Sequence, residues 1–294
     1  MRRFLILLLL PLALADCSFL PPPQKVDATP LVHDGRAEPG VEKAVVLIPG
    51  AMASIELFAP VLDWNVPGGT IMAYRFPGVD GLEMDHRIDI VDSGTLIADQ
   101  LNALGVKEVY LIGYSTGGPI ALEAARRIEA ERVDVALLST ASDMPATIIA
   151  SVKGAVDVIK AMLRAHLGGV DEALLENYRT LLYGRRHFSE AELAEQSRRL
   201  AALQRGHVTR PPRGMTMAHT ADLLTWHFER PEDLADARIG FFHGSEDSIF
   251  SEARTWRYAK RLHAETFRSY QGQGHLLFVT DRHLFDDIRN FFGL

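Results

Sequence analysis

Apolar and polar positions alternate along this chain in two distinct rhythms. "KAVVLI" (43–48), "GTIMAYRF" (69–76), "KEVYLIGY" (107–114) and "RVDVALLST" (132–140) are nearly continuous apolar runs. Runs of this length, bounded by Gly, Pro or charged residues, read as strands buried on both faces. Between them the period lengthens. In "RIDIVDSGTLIADQLNALG" (87–105), Ile90, Ile97, Leu101 and Leu104 recur at helical spacing, and Gly105 supplies a C-terminal stop. "TGGPIALEAARRIEA" (116–130) reads as a second helix, and "SIELFAPVLD" (54–63) as a short one limited by Pro60. Strands without a polar face, alternating with helices, predict an α/β fold: a mostly parallel sheet covered by helices on both faces.

The alternation stops over residues 143–232. Four helical segments are expected there: "TIIASVKGAVDVIKAMLRAHLG", "DEALLENYRTLLYG", "SEAELAEQSRRLAALQRG" and "MTMAHTADLLTWHFE". Ser189 and Glu192 have capping-box spacing at the start of the third. Strand character returns in "ARIGFFHG" (237–244), followed by a helix over 252–262, a strand "ETFRSY" (265–270) and a last helix "RHLFDDIRNFFGL". The pattern predicts one α/β core over 41–142 and 233–294, interrupted by a helical insertion over 143–232. Residues 17–40, punctuated by five prolines, read as a tether with one edge strand near 24–32.

The N-terminus stands apart. "MRRFLILLLLPLALADC" carries two arginines, an apolar stretch over 4–15 and then small residues. About twelve apolar residues are too few for a membrane-spanning helix, which needs roughly 20. Residues 1–16 therefore read as a secretory signal peptide of a bacterium-like cell. The Arg2-Arg3 pair raises the twin-arginine route, although its flanks match that signal poorly. "ALA" at 13–15 is a cleavage site for soluble export. "LADC" at 14–17 resembles the lipobox of bacterial lipoproteins, departing from it at Asp16. On that resemblance Cys17 is lipidated and the Pro-rich "SFLPPPQ" spaces the protein from a membrane; both readings place it in the cell envelope. Cys17 is the only cysteine, so no intrachain disulfide can form. The net charge of −7, with no basic run beyond the N-terminus, argues against nucleic acid as a partner.

Candidate chemistry centres on "VYLIGYSTGG" (109–118), in which a buried strand breaks into Gly113-x-Ser115-x-Gly117 and then becomes helical. One reading is a tight turn without function. The other is a nucleophile elbow, whose glycines relieve crowding while the serine hydroxyl is presented beside a helix N-terminus. A serine needs a base, itself oriented by an acid. Among eleven histidines, His275 is placed best, in the Gly-flanked "GQGH" after the last predicted strand. His243 reads as a supporting residue, and the others as tether, helix or insertion residues. Asp247, in "GSED" after strand 237–244, is the expected acid; Glu246 and Asp143 are alternatives. An oxyanion would be met by the backbone N–H of Thr116 and by that of Ala51 in "LIPGAMAS", with Met52 as the runner-up.

The chain order Ser115, Asp247, His275 resembles the α/β-hydrolase superfamily over residues 40–294. "GYSTGG", "GSED", "GQGH" and the helical insert carry the resemblance. "PG" at 49–50 stands where His-Gly is common in that superfamily. The resemblance implies acyl transfer to water through an acyl-enzyme, with no metal or organic cofactor. The implied partner is a small-molecule or lipid-like carboxylic ester, and the insert is expected to roof the site as a cap. Peptidases, thioesterases, perhydrolases and acyltransferases share the same machinery; a non-catalytic ligand-binding protein on this scaffold is the alternative of a different class. Two apolar sets in the insert read either as packing or as substrate-facing: Ile148, Val152, Val156, Ile159 and Leu163, a lipid-facing stripe on the second reading, and Met215, Met217, Leu223, Leu224 and Trp226.

Overall fold

The structure, a computed structural model, describes residues 22, 31–142, 170–204, 211–212 and 214–294. The signal segment, Cys17, Asp143 and the stripe 148–163 lie outside the described residues. The strands are β1 Leu31–His33, β2 Lys43–Ile48, β3 Gly69–Tyr74, β4 Glu108–Tyr114, β5 Arg132–Leu138, β6 Ala237–Gly244 and β7 Thr266–Tyr270. The described α-helices are α1 Ala59–Leu62, α2 Ile90–Leu104, α3 Gly117–Ala125, α4 Val170–Tyr183, α5 Ala191–Leu203, α6 Met215–Thr220, α7 Glu252–Arg261, α8 Leu277–Thr280 and α9 Leu284–Phe292.

The strands form one seven-stranded sheet in the order β1-β3-β2-β4-β5-β6-β7. Only β1 is antiparallel, pairing Val32 with Ala73 at the sheet edge; every other pairing is parallel. The continuous apolar runs follow from this placement. Successive side chains point to opposite faces of a strand, and both faces here are covered. Val46, Leu111 and Leu137 enter one core with α2 and α3, while Val45, Leu47 and Ile112 enter the other with α9. Parallel strands share a C-terminal edge, so the turns leaving β2, β4, β6 and β7 gather on one side of the sheet.

The helices begin and end where local chemistry allows. The Asp89 side chain caps α2 by accepting the Asp92 N–H, and Gly105 closes it at φ 68°. The 54–63 segment is a 3₁₀ turn, Ile55–Phe58, running into α1. Pro60 sits in the first turn of α1, where a missing N–H costs nothing. The capping box expected at Ser189 does not form. The Ser189 hydroxyl donates back to Arg186 O, closing the 3₁₀ turn Arg186–Phe188, and α5 starts two residues later at Ala191. Between β5 and β6, Leu223 and Trp226 join the core shared with α2 and α3, and the Trp226 indole donates to Glu123 at 2.9 Å. These two side chains therefore pack; Leu224 is exposed. Among the described residues no helix is long and apolar enough to cross a membrane.

Candidate active site

β4 ends at a strained residue. Ser115 has φ 52°, a left-handed conformation costly for a residue with a side chain. Three backbone bonds hold it. Its N–H donates to Leu138 O at 3.0 Å, and its carbonyl accepts from Gly118 N–H at 3.1 Å and Ala141 N–H at 3.0 Å. The turn is tight enough that a Cβ on Gly117 would lie 2.2 Å from Ile48 O, so no other residue fits there. α3 starts at once, aligning its N-terminus with the serine.

His275 arrives on the turn after β7. Its Nε2 lies 3.2 Å from Ser115 Oγ and its Nδ1 lies 2.8 Å from Asp247 Oδ2. A carboxylate only accepts, so Nδ1 carries the proton and Nε2 is left free to accept from the serine hydroxyl. The loop is pinned from the side: Gly274 N–H donates to Leu182 O at 2.7 Å and Leu276 N–H to Leu181 O at 3.0 Å, both at the end of α4. A Cβ on Gly274 would sit 2.3 Å from Leu181 O, which requires glycine at that crossing. The Tyr114 and Phe250 rings flank the imidazole at centroid distances of 5.2 and 5.6 Å.

Asp247 is buried in the turn after β6. Its Oδ1 accepts from Ile249 N–H at 2.7 Å and Phe250 N–H at 2.9 Å. Burial opposes its ionisation, yet His275, His243 and the Phe250 N–H together hold its carboxyl below the usual carboxylate range. His243 Nε2 donates to Phe250 O at 3.1 Å and lies 3.8 Å from Asp247 Oδ2. It braces the acid turn, and burial keeps its own pKa low. Asp247 rather than Glu246 supplies the carboxylate that His275 reaches; the Glu246 N–H ties the two loops together by donating to Gln273 O at 2.9 Å.

The loop after β2 passes directly over the serine. A Cβ on Gly50 would fall 2.9 Å from Ser115 Cβ. Ala51 follows, half-buried, and Thr116 is buried beside the elbow. Met52 has φ 61°. Its N–H is spent on His219 Nδ1 at 2.9 Å, which removes the runner-up for an oxyanion donor. Downstream, the Ser54 hydroxyl donates to Asp80 Oδ1 and the Ile55 N–H to Asp80 Oδ2 at 2.8 Å.

A family model described as "Alpha/beta hydrolase family" matches residues 45–288. The chain belongs to the alpha/beta hydrolase family. Solved structures agree on the fold of this hydrolase. An alpha/beta hydrolase enzyme from a Medee basin deep-sea metagenome library aligns at TM-score 0.64 with 15% identity, covering 90% of this chain and 94% of that one. A thermophilic esterase from Thermogutta terrifontis aligns at 0.62 with 15% identity over 90% and 95%. Homoserine O-acetyltransferase from Staphylococcus aureus aligns at 0.60 with 14% identity over 90% and 88%. No curated protein matches the sequence.

In this alpha/beta hydrolase the hydroxyl, imidazole and carboxylate form one hydrogen-bonded chain, and each member leaves the C-terminal edge of a different strand. Sequence reasoning placed all three residues at strand ends, and the structure brings them together. It missed His219, grouped with the histidines of the insertion. His219 is fully buried, and its hydrogen-bond partners lie 167 and 142 residues away, so nothing in its neighbourhood in sequence marks it.

Proposed function

We propose that this hydrolase cleaves carboxylic esters through a serine nucleophile. The observation that carries the reading is His275, bonded to Ser115 through one nitrogen and to Asp247 through the other. Ser115 Oγ attacks the ester carbonyl while His275 Nε2 takes its proton. The tetrahedral oxyanion is met by the N–H groups of Thr116 and Ala51. Collapse expels the alcohol, which takes the proton back from His275, and leaves an acyl group on Ser115. Water then attacks the acyl-enzyme with His275 again as base, releasing the carboxylic acid. Asp247 remains ionised throughout, holding the Nδ1–H tautomer and stabilising the imidazolium.

The helical segment between β5 and β6 acts as a cap over this site. A signal peptide over 1–16 and lipidation of Cys17 place the enzyme in the cell envelope, which favours lipid-like acyl esters as substrates. Labelled palmitate is expected to enter the wild type and not Cys17→Ser; equal labelling excludes that anchor. The central test is reaction of the purified mature protein with a fluorophosphonate, with the adduct mapped by mass spectrometry. An adduct on Ser115, absent from Ser115→Ala, is expected. Folded protein without an adduct overturns the reading.

A further inference from the structure

An oxyanion hole works only if its donors stand in place before charge develops. One of the donors proposed here lies in the turn Gly50–Ala53, which is closed by a single backbone bond from Ala53 N–H to Gly50 O at 3.2 Å. Met52 sits at φ 61° and is 45% exposed, so side-chain packing alone does not enforce this conformation. Backbone in that region is strained for a residue with a side chain and persists only where surrounding contacts over-determine it.

Beyond the turn bond, contacts come from α6, more than 160 residues further along the chain. The Met52 N–H donates to His219 Nδ1 at 2.9 Å, and His219 Nε2 reaches Pro77 O at 2.7 Å. The two partners dictate the same tautomer. A carbonyl can only accept, so Nε2 carries the proton; an amide N–H can only donate, so Nδ1 offers its lone pair. The ring is fully buried, with the Phe76 ring at 5.1 Å from its centroid. Burial holds its pKa down at about 4, with His86 adding to the effect, so the ring is neutral near neutral pH. The Thr216 hydroxyl on the same helix donates to Met52 Sδ at 3.3 Å. The helix is itself anchored: Ala218 O accepts from Ile88 N–H at 3.0 Å and the Asp222 carboxylate from Ile90 N–H at 2.7 Å. The bonds from Ser54 and Ile55 to Asp80 tie the far side of the loop to the turn that follows Pro77.

We propose that His219 is a positioning residue: by taking the Met52 N–H and donating to Pro77 O, it fixes the peptide between residues 51 and 52, restricts rotation about the adjoining backbone bonds of Ala51, and so holds the Ala51 N–H of the preceding peptide towards the developing oxyanion. The inference rests on the serine-hydrolase reading above. It makes His219 a contributor to the transition state that touches neither substrate nor any of the three reacting side chains.

The test compares His219→Leu, which removes both bonds, with His219→Asn, whose side-chain oxygen can take the place of Nδ1. Each is assayed in the mature protein with a p-nitrophenyl ester and by amide hydrogen exchange over residues 50–54. The Leu variant is expected to lose about 10- to 100-fold in kcat, within the range for a weakened oxyanion donor, with KM changed less than about threefold. Its Met52 amide should exchange much faster while the sheet amides do not change. The Asn variant should recover most of both losses. A folded Leu variant with wild-type kcat overturns the proposal, as does an Asn variant no better than Leu. If Leu does not fold, Asn decides: near-wild-type kcat with a protected Met52 amide supports the brace, and their joint loss overturns it. If the wild type neither hydrolyses esters nor takes the fluorophosphonate, the hydrolase reading falls, and exchange alone judges the brace. A wild-type Met52 amide that is protected, and released by His219→Leu, then supports it; an unprotected one refutes it.

Discussion

The two sides of the candidate site are each braced by a buried histidine outside the serine–imidazole–carboxylate chain, but they are built differently. On the acid side, His243 holds the turn that carries Asp247, and its bond to Phe250 O spans seven residues. The carboxylate's bonds to Ile249 and Phe250 span two and three. On the side of the proposed oxyanion donor, His219 reaches Met52 across 167 residues and Pro77 across 142. The acid turn is thus specified almost within one loop, whereas the loop after β2 adds to its own turn bond and its bonds to Asp80 a further bond from the segment between β5 and β6. A change in that segment should reach the oxyanion side first and leave the acid turn in place.

The largest expected effect would abolish the contrast by removing what the two sides share. Ser115→Ala and His275→Ala should each lower turnover by several orders of magnitude, with far-UV dichroism and Tm close to wild type. Near-normal turnover in either would show that the chemistry lies elsewhere. Asp247→Asn breaks the acid side alone. It keeps the shape but can favour the wrong imidazole tautomer, so kcat should fall about 10³- to 10⁴-fold, and binding of a product carboxylic acid, read by calorimetry, should change little.

A pH titration sharpens the comparison through stability. Both histidines are kept neutral by burial, so their folded pKa values lie below the unfolded ones. The unfolded chain therefore binds more protons on the acid side of neutrality, and this part of the stability is complete above pH about 6.5. For His219 it is lost as pH falls from about 6.5 towards about 4, an effect of roughly 3 kcal/mol at 1.36 kcal/mol per pKa unit. Urea denaturation across that range should show a shallower fall in His219→Asn; an unchanged slope would mean that the ring is not held neutral. The smallest effect concerns the side of the His275 loop. Gly274→Ala places a Cβ against Leu181 O and should cost about 1–3 kcal/mol of stability, read as a lower urea midpoint with the same m-value.

What could be read in the sequence tracks the same distinction. Val45 and Val46 face opposite cores and are both fully buried, so β2 is apolar from Ala44 to Ile48, and the run announced the strand. The elbow was legible because its crowding is local: Gly113 and Gly117 are required by atoms within a few residues or on the neighbouring strand. Asp247 and His275 were found from their places after strands. By contrast, Ser189 and Glu192 matched a capping pattern, but Arg186 closes a turn with Ser189 and pairs its guanidinium with Glu190 at 2.6 Å. A local rule lost there to a competing local bond. His219 carried no signal because its function in the fold depends on two backbone groups that the chain brings to it from afar.

The two bonds from the His275 loop to the end of α4 bear on how this fold can be recombined. Loops that roof a site invite exchange between relatives as a way to alter selectivity. Here the exchangeable segment cannot be cut at the strand ends. A graft replacing all of 143–232 would discard the carbonyls of Leu181 and Leu182, orphan the Gly274 and Leu276 N–H groups that flank His275, and remove the His219 acceptor from the Met52 N–H. A chimera that keeps 181–184 and 215–226 retains both supports. The freely exchangeable unit in this hydrolase is therefore smaller than the insertion that the topology suggests.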